Sequence, residues 1–599
     1  MLLVGTTVDV DAVGYTLDAT HTLEITTAGG GRARLPLTVA DGQVSTTLDQ
    51  PAFDALGVGK QTVTVQIRSR NSWGETLGEP TVVSLELVEA LAPSVKAVGD
   101  GLVHLNDPVV VEGRGLLLGG AEGRTEVELA GCFLPEGQPT PCATHGKKAV
   151  ITVALSPVDV SRERGSFAYP AKLAGLSPGR FSGTLALVNY QTGRAPTRSS
   201  ERQIDFEVQR TTLTGLKSSA VSLGEYLLIR GRGFVGGEGS TLLEVDGTFQ
   251  PSGEGTSRAV KLSFVTGFVN GQTLRYVLEE KNGLGASVDL RSETGTLSGT
   301  WTPVVSLGAE QQVGKGVVLA LELGAVKQVV HLRFLPSWQE ALRSFGLQPA
   351  DQRVRDRVFA VVRRAYQGIN VEIRAEQPKD FGLYATVDVG GTDPNGLGLL
   401  GYDNTPGKDV ENKRLFDHVG GVNALTQEDG YPGYGGVFAS SQLAFSEHPP
   451  GAMKTSPLHT PLFDQIFDAV RPDRGQEVNS AEVAAAPSLE SSASCPAADR
   501  VGQVACAIFT LGNMIGHTVA HELGHSFGLA EPYGAPTTYH NPGDVPNRLM
   551  EGGSTRPFAE RAELAGEGPA VFCDDEFAYL QMLMPTGQAD PLPQRPSCY

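Results

Sequence analysis

Three shortages bound what this chain can be. Basic residues are few: 48 Lys and Arg stand against 67 Asp and Glu, a formal net charge of −19 at pH 7. Nucleic-acid binding rests on a basic footprint that neutralises phosphates, so this balance argues for no nucleic-acid partner. No run of 18 apolar residues occurs, so no membrane span is expected. Residues 1–5 lack a basic start and a long apolar run, so no export signal is read in this chain. None of the six cysteines forms C-x-x-C, which excludes a cysteine zinc ribbon or a thioredoxin-type pair.

What is abundant points elsewhere. Glycine (74) and proline (37) are plentiful, which favours turns and short strands. With 599 residues the chain exceeds one hydrophobic core, so several domains are expected. The cysteine count is even. Cys132 and Cys142 flank a Pro/Gly-rich loop and suit a local disulfide. The other four allow three pairings, of which Cys495–Cys506 with Cys573–Cys598 is favoured. Disulfides belong to oxidising compartments, so a secreted or cell-surface location is expected.

Along the chain, residues 1–91 alternate apolar and polar, as in Val63-Thr64-Val65-Gln66-Ile67-Arg68, with glycine-rich turns between. This predicts an immunoglobulin-like antiparallel sandwich. Weak internal repetition marks two more units, 92–210 and 211–335. Val111-Glu112-Gly113-Arg114-Gly115-Leu116 matches Ile229-Arg230-Gly231-Arg232-Gly233-Phe234. Leu56-Gly57-Val58-Gly59-Lys60 resembles Leu176-Ser177-Pro178-Gly179-Arg180, each before an alternating strand. The strand followed by G-x-G-[LF] resembles the start of IPT/TIG immunoglobulin-like modules. That resemblance implies spacers or binding modules, with surface or glycan binding as the expectation and no catalytic residue.

Composition changes near 336, and 336–599 is read as a separate domain. Residues 352–366 carry Val354, Val358, Val361, Val362 and Ala365 at helical spacing, and Arg353, Arg355, Arg357, Arg363 and Arg364 are expected on its solvated side. Residues 369–373 and 384–389 read as strands, 462–470 as a short helix and 473–499 as a loose loop.

The decisive stretch is His521-Glu522-Leu523-Gly524-His525. Apolar residues at Val504, Ala505, Ile508, Leu511, Met514, Ile515, Val519 and Leu523 predict a helix buried nearly all round. On a helix, His521 and His525 share a face and can point a nitrogen at one zinc ion. Glu522 turns onto a neighbouring face, where it can take a proton from water rather than bind the metal. Gly528 suits the helix end. Glu531, ten residues after His521, can return to complete a three-ligand set, and His540 is the substitute. His517 can hydrogen-bond a ligand, though a structural histidine is the simpler reading. Asp388, Asp393, Asn395 and Asp403 can offer oxygens to calcium, or form an ordinary loop.

The run from His521 to Glu531 resembles the metzincin signature H-E-x-x-H-x-x-G-x-x-H/D, and bacterial secreted forms with an acid as third ligand, such as immune-inhibitor-A-like peptidases. Glu531 departs from the family's His or Asp. Residues 547–553 resemble the methionine turn of that family, with Met550 beneath the histidines as a non-ligand. Gly552 stands where some members carry a tyrosine ligand, so none is expected; Tyr533 and Tyr539 are the tyrosines nearby. The resemblance further implies that an edge strand above the cleft pairs with extended substrate, and 435–441 is the stretch nominated.

The expected fold is therefore multidomain: all-β immunoglobulin-like sandwiches, then an α+β metzincin-like domain. The expected activity is zinc-dependent endopeptidase, with Glu522 as base, His521, His525 and Glu531 on zinc, and a protein or peptide as substrate. The rival is a non-enzymatic surface adhesin with a degenerate metal site.

Overall fold

The computed structural model describes residues 1–599 except 12–18, 41–42, 72–73, 100, 140–141, 143–145, 254, 406–410, 423–432, 530–539, 542–544, 554–555, 587–593 and 599. The chain is multidomain and strand-rich, with several separate sheets.

In residues 1–91, seven strands pair antiparallel in one connected set that passes through Arg32–Ala40. Arg32–Ala40 joins the halves: its first part pairs with Thr20–Thr27 and its last part with Gln43–Thr47. The enclosed face carries Leu23, Ile25, Leu35, Val63 and Leu87. The helix Gln50–Leu56 closes it with Ala52, Phe53 and Leu56, its start capped by the Asp49 side chain on the Ala52 N–H.

The next two units are two-sheet sandwiches built on the same plan. In each, two 13-residue strands pair along their whole length, Gly123–Pro135 with Gly179–Gln191 and Gly239–Pro251 with Gly295–Leu307. In each, a short strand joins the larger sheet in parallel, Gly101–Val103 beside Arg202–Val208 and Ala220–Val221 beside Val317–Leu323. The repeated G-x-G has one physical explanation in both copies. A side chain at Gly113 or Gly231 would meet the Ser94 or Thr212 carbonyl of the neighbouring strand, while Gly115 and Gly233 take φ +70° and +78°. The chain then turns inward to bury Leu116 and Phe234 completely.

The C-terminal part has its own sheet, ordered Val371–Arg374, Gln328–Phe334, Ala385–Gly390, Tyr434–Phe438, Gly401–Tyr402. The first four strands run parallel and the last antiparallel. Gln328–Phe334 precedes the expected boundary at 336 yet is hydrogen-bonded between two strands of this sheet. Its run Val329, Val330, Leu332 is buried, as suits a parallel strand covered on both faces.

Against this sheet pack the helices Asp351–Ala365 and Arg500–Ser526, which share one continuous core with it. The arginines of Asp351–Ala365 are not simply a solvated side. Arg357 donates to Asn513 Oδ1 at 2.6 Å, and Arg353 donates to the Val483 and Ala486 carbonyls. Those carbonyls end a helix, Ser480–Ala485, inside the stretch expected to be a loose loop. Asn479 and Glu482 form its capping box, a local signal that composition alone hides. All three cysteine pairings read from the sequence are present: Cys132–Cys142, Cys495–Cys506 and Cys573–Cys598.

Candidate metal centre

The helix Arg500–Ser526 starts at Asp499, whose side chain accepts the Gly502 N–H. Every residue from Val504 to Ser526 is buried. This helix is long and apolar enough to cross a membrane, but its apolar window is wholly enclosed by the protein, as in a core helix. Glycine allows the close approach. A Cβ on Gly516 would lie 2.6 Å from Val361 Cβ, and one on Gly512 would lie 2.5 Å from Arg357 Cβ. The helix ends as Gly528 turns at φ +91° and the Leu529 N–H donates back to the Gly524 carbonyl at 3.0 Å.

That turn sets the chemistry of His525. Its Nδ1 lies 3.0 Å from the Leu529 carbonyl, and Nδ1 of His521 lies 2.8 Å from the Leu549 carbonyl. A carbonyl only accepts, so both Nδ1 atoms carry the proton. Both Nε2 atoms are then unprotonated, and they lie 3.2 Å apart. Two such nitrogens repel unless a cation lies between them. Imidazole nitrogens on one tetrahedral zinc stand about 3.3 Å apart. Burial, and then the neighbouring His540, push His521 well below the usual imidazole range, so it is neutral, the form that ligates metal. The donor set and its spacing therefore fit zinc.

His540 completes the cluster. Its ring centroid is 5.3 Å from that of His521 and 5.2 Å from that of His525, and the ligand nitrogens of all three lie within 4.8 Å of one another. Glu531, Tyr533 and Tyr539 lie outside the described residues. Among the described residues two further groups contain candidate ligands, and in both the side chains are engaged. Cys573 and Cys598 are bonded to each other beside Asp574. The His448, Asp464 and Asp468 group holds the buried Arg471 guanidinium, 3.5 Å from Asp468. Asp388 is paired with Arg333 and His418. Asp393 accepts the N–H groups of Asn395, Leu397 and Leu399, and Asp403 that of Thr405. Among the described residues, Asp388, Asp393 and Asp403 fall in no group of potential metal ligands.

The turn carrying Met550 lies under the histidines. Met550 is fully buried, and a Cβ on Gly524 would meet its sulfur at 2.7 Å. The preceding residue, Leu549, supplies the carbonyl that orients His521. Arg548 anchors this turn by pairing with Glu551 and donating to the Cys598 carbonyl at 2.9 Å. The Cys573–Cys598 disulfide holds that carbonyl in place.

Glu522 and the two helix histidines line a cleft of about 1080 Å³. Along it runs Gly401–Tyr402, the last strand of the sheet path. Gly401 lies against Glu522, where a Cβ would come 2.5 Å from its carboxylate oxygen. The stretch 435–441 does not hold the edge position expected of it. Tyr434–Phe438 is flanked by Ala385–Gly390 and Gly401–Tyr402. Glycine flanking suggested exposure, but here it permits close strand packing: a Cβ on Gly436 would lie 2.8 Å from the Asp388 carbonyl.

His517 faces away from the other histidines, with Nε2 donating to Glu563 at 2.8 Å. Burial lowers it to about 4, so it is neutral at pH 7. Burial alone would raise Glu563, but the hydrogen bond from His517 and the charge of Arg364 hold it at about 2. Sequence reasoning missed Glu563, the Leu549 carbonyl and Arg561, which also lines the cleft. Glu563 and Arg561 sit on no recognisable spacing, and a backbone carbonyl leaves no trace in residue type.

No protein-family model and no curated protein matches the chain. Solved structures similar to it are β-sandwich proteins. A Bacteroides ovatus mixed-linkage glucan utilization locus protein, SGBP-B, in complex with a heptasaccharide is 11% identical, with 54% of this chain and 64% of that chain covered, at a TM-score of 0.16. The plexin A4 extracellular region is 10% identical over 53% of this chain and 32% of its own, at 0.19. Chicken CNTN1 FN1–FN3 is 9% identical over 53% and 97%, at 0.15. At these scores the likeness carries no argument about activity.

Proposed function

We propose that the C-terminal part, the sheet with its packed helices and the histidine cluster, is an α+β metzincin-like, zinc-dependent endopeptidase. The observation that carries this reading is the pair of buried, proton-free Nε2 atoms 3.2 Å apart beside Glu522 in an open cleft. His521 and His525 would hold the ion, with His540 or Glu531 as third ligand. When bound, zinc would polarise a water and the scissile carbonyl.

The chain's own residues supply the rest. The Leu549 and Leu529 carbonyls fix the ring orientations. Glu522 accepts the proton of the attacking water and passes it to the leaving amine. The outer edge of Gly401–Tyr402 offers backbone groups to an extended peptide by strand addition. The wall of the cleft is largely apolar, with Leu397, Leu399, Phe445 and Met453, which suits peptide side chains.

Three disulfides support a secreted or cell-surface location. The three β-modules in front would serve as spacers or bind surface or glycan partners. They also motivate the second reading, a non-enzymatic adhesin, because they make up more than half the chain and carry a polar cleft of about 1100 Å³ lined by Glu136, Arg180, Asp205, Arg210 and Lys315. The discriminating experiment compares casein cleavage by wild type and Glu522→Ala, both loaded with one zinc per chain. Loss of chelator-sensitive cleavage in the variant supports the peptidase. Equal cleavage by both removes Glu522 as base, and none by either favours the adhesin.

A further inference from the structure

The segment 548–561 carries three buried guanidiniums and two buried carboxylates that pair within it. Arg548 pairs with Glu551, and Arg556 with Glu560 at 2.8 Å. Arg561 is left over. It is only 4% exposed, and no carboxylate among the described residues lies within ion-pair distance of it. Nε donates to the Arg556 carbonyl at 3.2 Å and Nη2 to the Gly553 carbonyl at 2.9 Å. Guanidinium has five N–H donors, so these two bonds fix its plane and leave others over.

Arg561 lines the same cleft as Glu522 and the two histidines. Its guanidinium carbon is 6.0 Å from the centroid of the Phe445 ring, another wall of that cleft. Burial, and then the neighbouring Arg556, lower it to about 9, with Glu560 and Glu522 opposing. A buried cation short of counter-charge is costly, and a carboxylate bound in fork geometry relieves that cost. Of the cleft's acids, Glu522 acts on Arg561 through its charge, without an ion-pair contact, and the other three are engaged elsewhere. Asp393 and Asp403 accept backbone N–H groups, and Glu551 pairs with Arg548. Lys454, exposed on the rim, adds a second positive charge. The protein as a whole is strongly acidic, with net charge −19, so this local positive wall runs against the prevailing sign.

Resting on the peptidase reading above, we propose that Arg561 receives a carboxylate of the bound peptide, making the enzyme selective for peptides acidic next to the cleaved bond. The carboxylate belongs either to an Asp or Glu side chain or to a free peptide C-terminus, and the test separates them. Quenched fluorescent peptides are offered to the zinc-loaded full chain in matched sets. One carries internal Asp, one internal Asn, and one internal Asn close to a C-terminus prepared both as acid and as amide.

The expected result is a kcat/KM about 100-fold higher for the carboxylate-bearing member of a pair, because the neutral member leaves a buried charge unpaired. Arg561→Gln should erase the preference and Arg561→Lys restore part of it, an outcome that a guanidinium merely clamping the turn would not give. An Asp/Asn difference assigns a side-chain carboxylate, and an acid/amide difference assigns the C-terminus. Cleavage without either preference overturns this proposal and leaves the peptidase standing. If no peptide is cleaved, the peptidase reading fails by itself. Calorimetric titration of the same peptides into Glu522→Ala protein then decides the Arg561 site: at least tenfold tighter binding of the carboxylate member upholds it, and equal binding removes it.

Discussion

Replacing both Cys573 and Cys598 by serine tests whether the tail of the chain supports the centre. The two are separated by 25 residues and fully buried. Closing a loop of that length removes about 3.5 kcal/mol of unfolded-chain entropy. That is a large share of the ~5–15 kcal/mol that holds a typical domain folded. The consequence for the site follows a short path. The disulfide holds the Cys598 carbonyl, which accepts from Arg548. Arg548 precedes Leu549, whose carbonyl orients His521. Loosening that carbonyl should weaken zinc binding by about 10–100-fold, the usual effect of losing a partner behind a metal ligand. Denaturant unfolding of the zinc-free protein reads the first effect, and competition with a fluorescent chelator reads the second. A double-serine protein with unchanged unfolding midpoint and zinc affinity would refute the linkage from tail to ligand.

Other expectations concern single residues. Because burial depresses His517 to about 4, the unfolded chain takes up a proton there before the folded one does. Stability should therefore fall by about 3 kcal/mol as pH drops from about 6.5 to about 4. Glu563, held at about 2, adds a further loss below its usual range. His517→Gln should remove the upper part of this acid dependence in denaturant midpoints at pH 7, 5.5 and 4. Gly516→Val should destabilise by about 2–3 kcal/mol, since even a Cβ meets Val361 at 2.6 Å. Gly516→Ala should lose less, because helix propensity returns about 1 kcal/mol. His540→Ala should weaken zinc binding at least about tenfold, and unchanged affinity there with a loss in Glu531→Ala would transfer the third ligand to Glu531.

Much of this was legible because it is local. Residues four apart on a buried helix bring His521 and His525 together whatever surrounds them. A repeated G-x-G predicted two sandwiches of one plan because close approach and positive φ demand glycine. That Met550 sits against the histidine helix was expected from the family resemblance of residues 547–553, and the structure buries it against Gly524. What stayed hidden depends on partners distant in sequence. Gln328–Phe334 joins the C-terminal sheet through pairing that no periodicity announces, and Gly401–Tyr402, two residues long, is too short to read as an edge strand. The arginines of Asp351–Ala365 looked solvated because their acceptors, Asn513 and the Val483 carbonyl, lie on other helices.

The most direct measurement is X-ray absorption at the zinc edge of protein loaded with one equivalent. Two or three imidazole nitrogens at about 2.0–2.1 Å are expected, with the signal lost in His521→Ala and His525→Ala. Zinc bound without imidazole, or held as tightly by the two alanine variants, would contradict the assignment of this helix as a metal centre.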